Sequence, residues 1–216
     1  MGAKFLGLRQ QLDTGAENYL CISDFVAPGG RKGDWLGLFA CQCGEGVEEL
    51  KREFERRGEV DKAILLQALA DRLAEAFAEL LHLKVRTDLS IWGYAADTEV
   101  ALPLEQLLKG TGYQGIRPAP GYPMQPDHRE KATLWALLDV DRLSAGRMTL
   151  TSSFMMQPAS SVCALCFAHP GAQYFALGPV NKDQVEDYSR RGGYSTGDTE
   201  RWLGSGVLGY DAAKGT

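Results

Sequence analysis

Long apolar runs are missing from this chain, and none approaches the ~18 residues that a bilayer-crossing helix needs. The opening residues, Met1-Gly2-Ala3-Lys4-Phe5, lack the apolar centre of a secretory signal, so a cytoplasmic protein without a membrane anchor is expected. Gly2 makes no myristoylation signal, because Leu6 stands where that motif requires serine or threonine. A strong excess of one charge is also lacking. The formal net charge is −5 over 216 residues, with both signs interspersed, which argues against nucleic acid as a partner and for small molecules or proteins. Histidine is scarce, and His82, His128 and His169 form no HExxH pattern. Five cysteines make an odd set without an export signal, so free thiols are expected. A strand would turn Cys163 and Cys166 to opposite faces, poor geometry for a zinc site with Cys41 and Cys43, and no metal site is expected. No GxGxxG follows a strand and no Gly-x-x-x-x-Gly-Lys occurs, which excludes Rossmann-type and P-loop ligand binding.

What is present suits one globular domain over residues 1–216, with 44% hydrophobic and 24% charged residues. Tyr19 to Val26 and Trp35 to Cys43 read as strands of an antiparallel hairpin, joined by the turn-rich segment from Pro28 to Asp34. From Val47 to about Thr87 the period becomes helical, carried by Leu65, Leu66, Leu69, Leu73, Ala76, Phe77 and Leu80, with Gly58 dividing a first, charged helix from a longer one. Asp127 and Glu130 resemble a capping box ahead of a helix that ends near Gly146. Met148 to Met156, Ser161 to Ala168 and Tyr174 to Val180 read as an antiparallel meander with a turn at His169 to Ala172. Helices near Asp183 to Arg191, stopped by Gly192 and Gly193, and near Thr199 to Leu203 close the chain. Without regular βαβ alternation, the expected class is α+β, an antiparallel sheet with long helices packed on it.

The most informative segment runs from Gly115 to His128. Pro118, Pro120, Pro123 and Pro126 each fix φ and remove an N–H, so this stretch is neither helix nor inner strand. It reads as a rigid loop that presents backbone carbonyls and Arg117 outward. An arginine there suits two roles: a bidentate grip on a ligand's carboxylate, or an ion pair pinning the loop to a neighbouring acidic side chain.

The loop resembles the signature loop of the C-terminal activation domain of cobalamin-dependent methionine synthase, which binds S-adenosylmethionine (AdoMet). Asp71-Arg72-Leu73-Ala74-Glu75-Ala76-Phe77-Ala78-Glu79, Asn181 to Tyr188, Glu200-Arg201-Trp202-Leu203 and Leu208-Gly209-Tyr210-Asp211 match further family segments in the family's order. The resemblance runs from Phe5 to Asp211 and corresponds to about the C-terminal two thirds of that domain, whose structure is likewise α+β.

What the resemblance implies is a set of cofactor-binding residues and no catalytic acid or base. Arg117 stands where the family's AdoMet-binding arginine stands. Tyr174 and Phe175 match the family's aromatic pair; in a strand only one of the two rings would face a pocket. Glu75, in an acidic row with Asp71 and Glu79 that otherwise reads as a solvated face, matches an acidic residue near the AdoMet sulfonium. Tyr122 matches a tyrosine that approaches the corrin ring; taken alone, it would pack on Pro120 or Pro123. Gln125 occupies a position where other members carry cysteine or glutamine. The family's cobalt-ligating Asp-x-His-x-x-Gly is absent, so cobalamin would be carried by another module. The implied function is to position AdoMet for reductive methylation of oxidised cobalamin. The implied partners are the catalytic and cobalamin-binding modules and a flavodoxin-like or diflavin electron donor. The family's N-terminal helical segment, with an AdoMet-contacting aspartate, would precede Phe5. The competing expectation is a stand-alone or truncated AdoMet-binding module without a catalytic role.

Overall fold

The structure is a computed structural model, and it describes all residues except 1, 14, 16, 30–32, 100, 101, 104, 107–111 and 213–216. The architecture is α+β. A central two-stranded antiparallel sheet pairs β1 (Gly37–Gln42) with β4 (Ser161–Cys166), in a register that sets Gly37 opposite Cys166 and Gln42 opposite Ser161. A small hairpin pairs β2 (Thr149–Leu150) with β3 (Met156–Gln157). Two helices, α1 (Val47–Arg56) and α2 (Val60–Thr87), follow β1 and are divided at Gly58, whose φ of +73° is left-handed. After the short α3 (Ala96–Glu99) and the proline loop come α4 (Glu130–Leu138), α5 (Val140–Leu143), α6 (Lys182–Gly192) and α7 (Thr196–Leu203). Gly193 ends α6 in the left-handed region, and the Ser195 hydroxyl caps α7 by accepting from the Asp198 N–H. Among the described residues no helix is long and apolar enough to cross a membrane.

Helix α2 lies on the sheet, but with a face that apolar periodicity does not single out. Its buried residues are Ala63, Ala70, Ala74, Ala78, His82 and Arg86, and Ala78 packs with Phe39, Cys41, Ala164 and Cys166 of the sheet. The leucine stripe points away: Leu65, Leu69, Leu73, Phe77 and Leu80 are all exposed, Leu65 at 68%. The helix is correctly read and its buried face is not. Small alanines let the helix axis approach the strands closely, and this proximity carries the acidic row and His82 towards the proline loop.

Three further expectations are corrected. The segment from Tyr19 to Val26 is no strand. Asp24 accepts from the Cys21 N–H at 2.9 Å and takes a two-point grip from Arg9, folding Ile22–Phe25 into a 3-10 turn. β1 therefore pairs with β4 instead, while part of the expected turn, residues 30–32, lies outside the described residues. The segment from Tyr174 to Val180 is extended but joins no named strand; the Leu177 N–H donates to the Pro123 carbonyl at 3.1 Å and Val180 forms only a bridge to Leu208. The expected meander does not form: the stretch read as one strand from Met148 to Met156 folds back on itself as the β2–β3 hairpin, and β4 pairs with β1. Finally, no capping box forms at α4. Asp127 grips Arg129, and Glu130 accepts from the Leu6 N–H, because both carboxyl groups are buried under Tyr188, whose hydroxyl donates to Asp127 at 3.0 Å and lies 3.3 Å from Glu130.

Candidate functional site

Two glycines let the proline loop pass. At Gly115, φ is +88° and a Cβ would lie 2.5 Å from both the Phe167 carbonyl oxygen and the Tyr94 hydroxyl. At Gly121, φ is +96° and a Cβ would strike the His128 ring at 2.3 Å. Between them the loop is stitched to the free side of β4 and its extension: Ile116 and Phe167 exchange both backbone hydrogen bonds, and the Leu165 N–H donates to the Pro118 carbonyl at 3.0 Å. The expectation of outward carbonyls is therefore corrected. Prolines lack donors but their carbonyls accept, so the loop docks on the strand edge by its acceptors.

Arg117 is turned inward as well, with its side chain 18% exposed. Its guanidinium donates to Glu79 of α2 at 2.5 Å, to His82 Nδ1 at 3.1 Å and to the Tyr113 hydroxyl at 3.1 Å. Its backbone N–H donates to the Tyr174 hydroxyl at 2.9 Å, so the extended segment beyond β4 ties the loop from the other side. Burial opposes the arginine's charge, but Tyr113 and Glu79 more than offset it, and its pKa rises. The loop-pinning role foreseen for this arginine is therefore present in the structure.

These contacts border a cavity of about 580 Å³. Arg117, Glu75, Tyr122, Tyr174 and Phe175 all line it, although the sequence scatters them from the middle of α2 to beyond β4. Glu75 is exposed and reaches the cavity from α2, one turn before Glu79. Tyr122 is 62% exposed at the rim and is not packed away. Tyr174 and Phe175 both border the space, against the expectation that a strand would allow only one. They sit in irregular extended chain, where Phe175 also packs on the cluster of Ile22, Phe25 and Met124. Burial raises the Tyr174 pKa.

Other residues at the site went unnoticed in the sequence. Lys131 of α4 lines the cavity while 4% exposed, and its Nζ donates to His128 Nδ1 at 2.7 Å. Burial lowers the pKa of both groups, and the lysine depresses the histidine further. Tyr113, Glu79 and His82 form the support behind Arg117. The signal for His82 was available: 70, 74, 78, 82 and 86 form an unbroken i+4 row of Ala, Ala, Ala, His and Arg, so one buried face ends in two polar side chains. Of the thiols, Cys163 lies on the cavity wall, and burial pushes it up to about 12. Among the described residues no three His, Cys, Asp or Glu side chains converge as a metal site.

A cavity of this size falls in the usual range for small-molecule ligands. It combines one arginine for an anionic group, one carboxylate for a cationic group, and an aromatic and proline-rich wall. The class so defined is an α+β module with a cavity of ligand size. A family model described as the vitamin B12 dependent methionine synthase activation domain matches residues 1–193. A solved structure of the MetH reactivation domain bound to AdoHcy superposes with a TM-score of 0.88 at 47% sequence identity. That match covers 95% of this chain and 61% of the solved one, so the chain spans less than two thirds of its neighbour's length. The chain belongs to the methionine synthase activation domain family.

Proposed function

We propose that the cavity binds AdoMet and its demethylated product AdoHcy, and that the chain acts within a cobalamin-dependent methionine synthase as the module that positions AdoMet for reductive methylation of cob(II)alamin. The observation that carries this reading is the convergence of Arg117, Glu75, Tyr122, Tyr174 and Phe175 on one cavity, in a chain 47% identical to a domain solved with AdoHcy. Arg117 takes the amino-acid carboxylate by charge-assisted hydrogen bonds. Glu75 favours the sulfonium cation, and the Tyr174 and Phe175 rings flank the nucleoside. Tyr122, exposed at the rim, would meet the corrin ring if a separate cobalamin-binding module brought it. The chemistry supplied from outside is one electron from a flavodoxin-like or diflavin donor, which makes cobalt nucleophilic enough to take the methyl group and release AdoHcy. The chain's own work is placement, since holding AdoMet between Arg117 and Glu75 would replace a bimolecular encounter. No side chain serves as general acid or base.

A ligand that binds only the folded chain raises its melting temperature by mass action. At ~100 times Kd, AdoMet or AdoHcy is expected to raise Tm by roughly 5–10 °C. Mixing the chain with a cobalamin-loaded module, reductant and methyl-labelled AdoMet then reads methyl transfer to cobalt. Stabilisation without transfer would assign a stand-alone AdoMet-binding module; no stabilisation by either ligand would refute the reading.

A further inference from the structure

A guanidinium has five N–H donors. Those of Nη1 go to His82 Nδ1 and the Tyr113 hydroxyl, and one of Nη2 goes to Glu79 Oε2. His82 can only accept from Arg117, because burial, then Arg86 and Arg117, lower its pKa to about 2 and keep the ring neutral. Its Nε2–H is turned to the Tyr94 hydroxyl at 3.3 Å, which in turn donates to the Gln114 carbonyl at 3.3 Å. Tyr113 is itself held, with its ring under the Arg86 guanidinium at 3.7 Å and edge-on to His82 at 5.5 Å. Arg86 is fully buried and paired with Glu99 at 2.7 Å, so this support is anchored in the interior. Two donors of Arg117 are left, Nε–H and the second hydrogen of Nη2. Neither has an acceptor among the described residues, and Arg117 borders the cavity.

We propose that Glu79, His82 and Tyr113 are positioning residues, which fix the Arg117 guanidinium so that its remaining edge meets the amino-acid carboxylate of the ligand. This rests on the reading of the ligand as AdoMet or AdoHcy. Glu79 is the principal member, because it supplies the one charged hydrogen bond. The three act through Arg117 and touch no other part of the ligand.

The test titrates two probes: AdoHcy, which carries the carboxylate, and 5′-methylthioadenosine, which lacks the amino-acid end. Glu79→Ala is expected to weaken AdoHcy roughly tenfold while changing methylthioadenosine by less than about twofold. Glu79→Gln keeps an acceptor and is expected to recover most of the loss. Tyr113→Phe keeps the ring stacked under Arg86, so it remains informative even where the Glu79 variant fails to fold, and should weaken AdoHcy alone by about threefold. Equal losses for both probes, or no loss for AdoHcy in Tyr113→Phe, would overturn the proposal. Tighter AdoHcy binding by Glu79→Ala would also overturn it, by making Glu79 a competitor for Arg117. If the parent chain binds neither probe, the functional reading itself fails; if it binds both and the variants leave their ratio unchanged, only the positioning role fails.

Discussion

The two faces of α2 differ in a way that composition inverts. The outer face carries Leu65, Leu69, Leu73, Phe77 and Leu80 and is exposed, while the inner face carries Ala70, Ala74 and Ala78 and is buried against the sheet. By apolar area the leucines should be inside. Close approach accounts for the alanines: with no side chain beyond Cβ, α2 sits on β1 and β4 tightly enough for Glu79 and His82 to meet Arg117 across the gap. The inner face is thus a spacer that sets the site, and the outer face adds nothing to this fold's core.

Substitutions can break that contrast. The largest effect is expected from Ala78→Leu, on the inner face at 0% exposure, since added volume must push α2 off the sheet. It should cost about 3 kcal/mol and lower Tm by roughly 6–12 °C. A loss below ~1 kcal/mol would mean that the helix is not closely seated.

A second expectation concerns pH and sharpens the contrast between buried polar groups and the exposed stripe. Burial raises Glu130 to about 7 from an ordinary 4.5. Between those values the folded chain holds a proton that the unfolded chain has released. Stability from this group is therefore full below about pH 4.5 and is lost as pH rises through 7. Chemical denaturation at pH 5 and pH 8 should show the parent losing about 2–3 kcal/mol more than Glu130→Gln does, and parallel losses would contradict the assignment.

Smaller effects bear on the loop and the outer face. Tyr174→Phe removes the acceptor of the Arg117 N–H and should cost about 1 kcal/mol, measured by denaturant titration, with the cavity wall otherwise kept. Leu69→Ala, at 57% exposure, should change stability by no more than about 0.5 kcal/mol. A cost of several kcal/mol there would show that the leucine stripe is covered in solution.

The sequence made the helices and the proline loop legible because their signals are local. Gly58 and Gly193 stop helices through their own φ, and prolines exclude regular structure wherever they stand. Strand pairing was less legible. β1 joins a partner more than a hundred residues away, and the apolar run at Tyr19 to Val26 was claimed by the local grip of Asp24 on Cys21 and Arg9. The buried face of α2 was misjudged because periodicity gives the helix and not the identity of what covers it. For the site, Arg117, Tyr122, Glu75, Tyr174 and Phe175 were picked out by resemblance, whereas Lys131, Tyr113 and the support role of Glu79 and His82 needed the third dimension. The acidic row read as a solvated face because charges at four-residue spacing usually are; here Asp71 accepts from the Ser160 hydroxyl and Glu79 pairs with Arg117.

The most direct test of the central claim is calorimetric titration of the chain with AdoMet, beside the Arg117→Ala variant. Saturable binding by the parent, weakened a hundredfold or more in the variant, is expected from the loss of a charged hydrogen-bonding group at a partly buried carboxylate site, worth about 3 kcal/mol. Equal affinities for the two chains, or no heat from the parent, would contradict a cavity built around Arg117 for the amino-acid end of AdoMet.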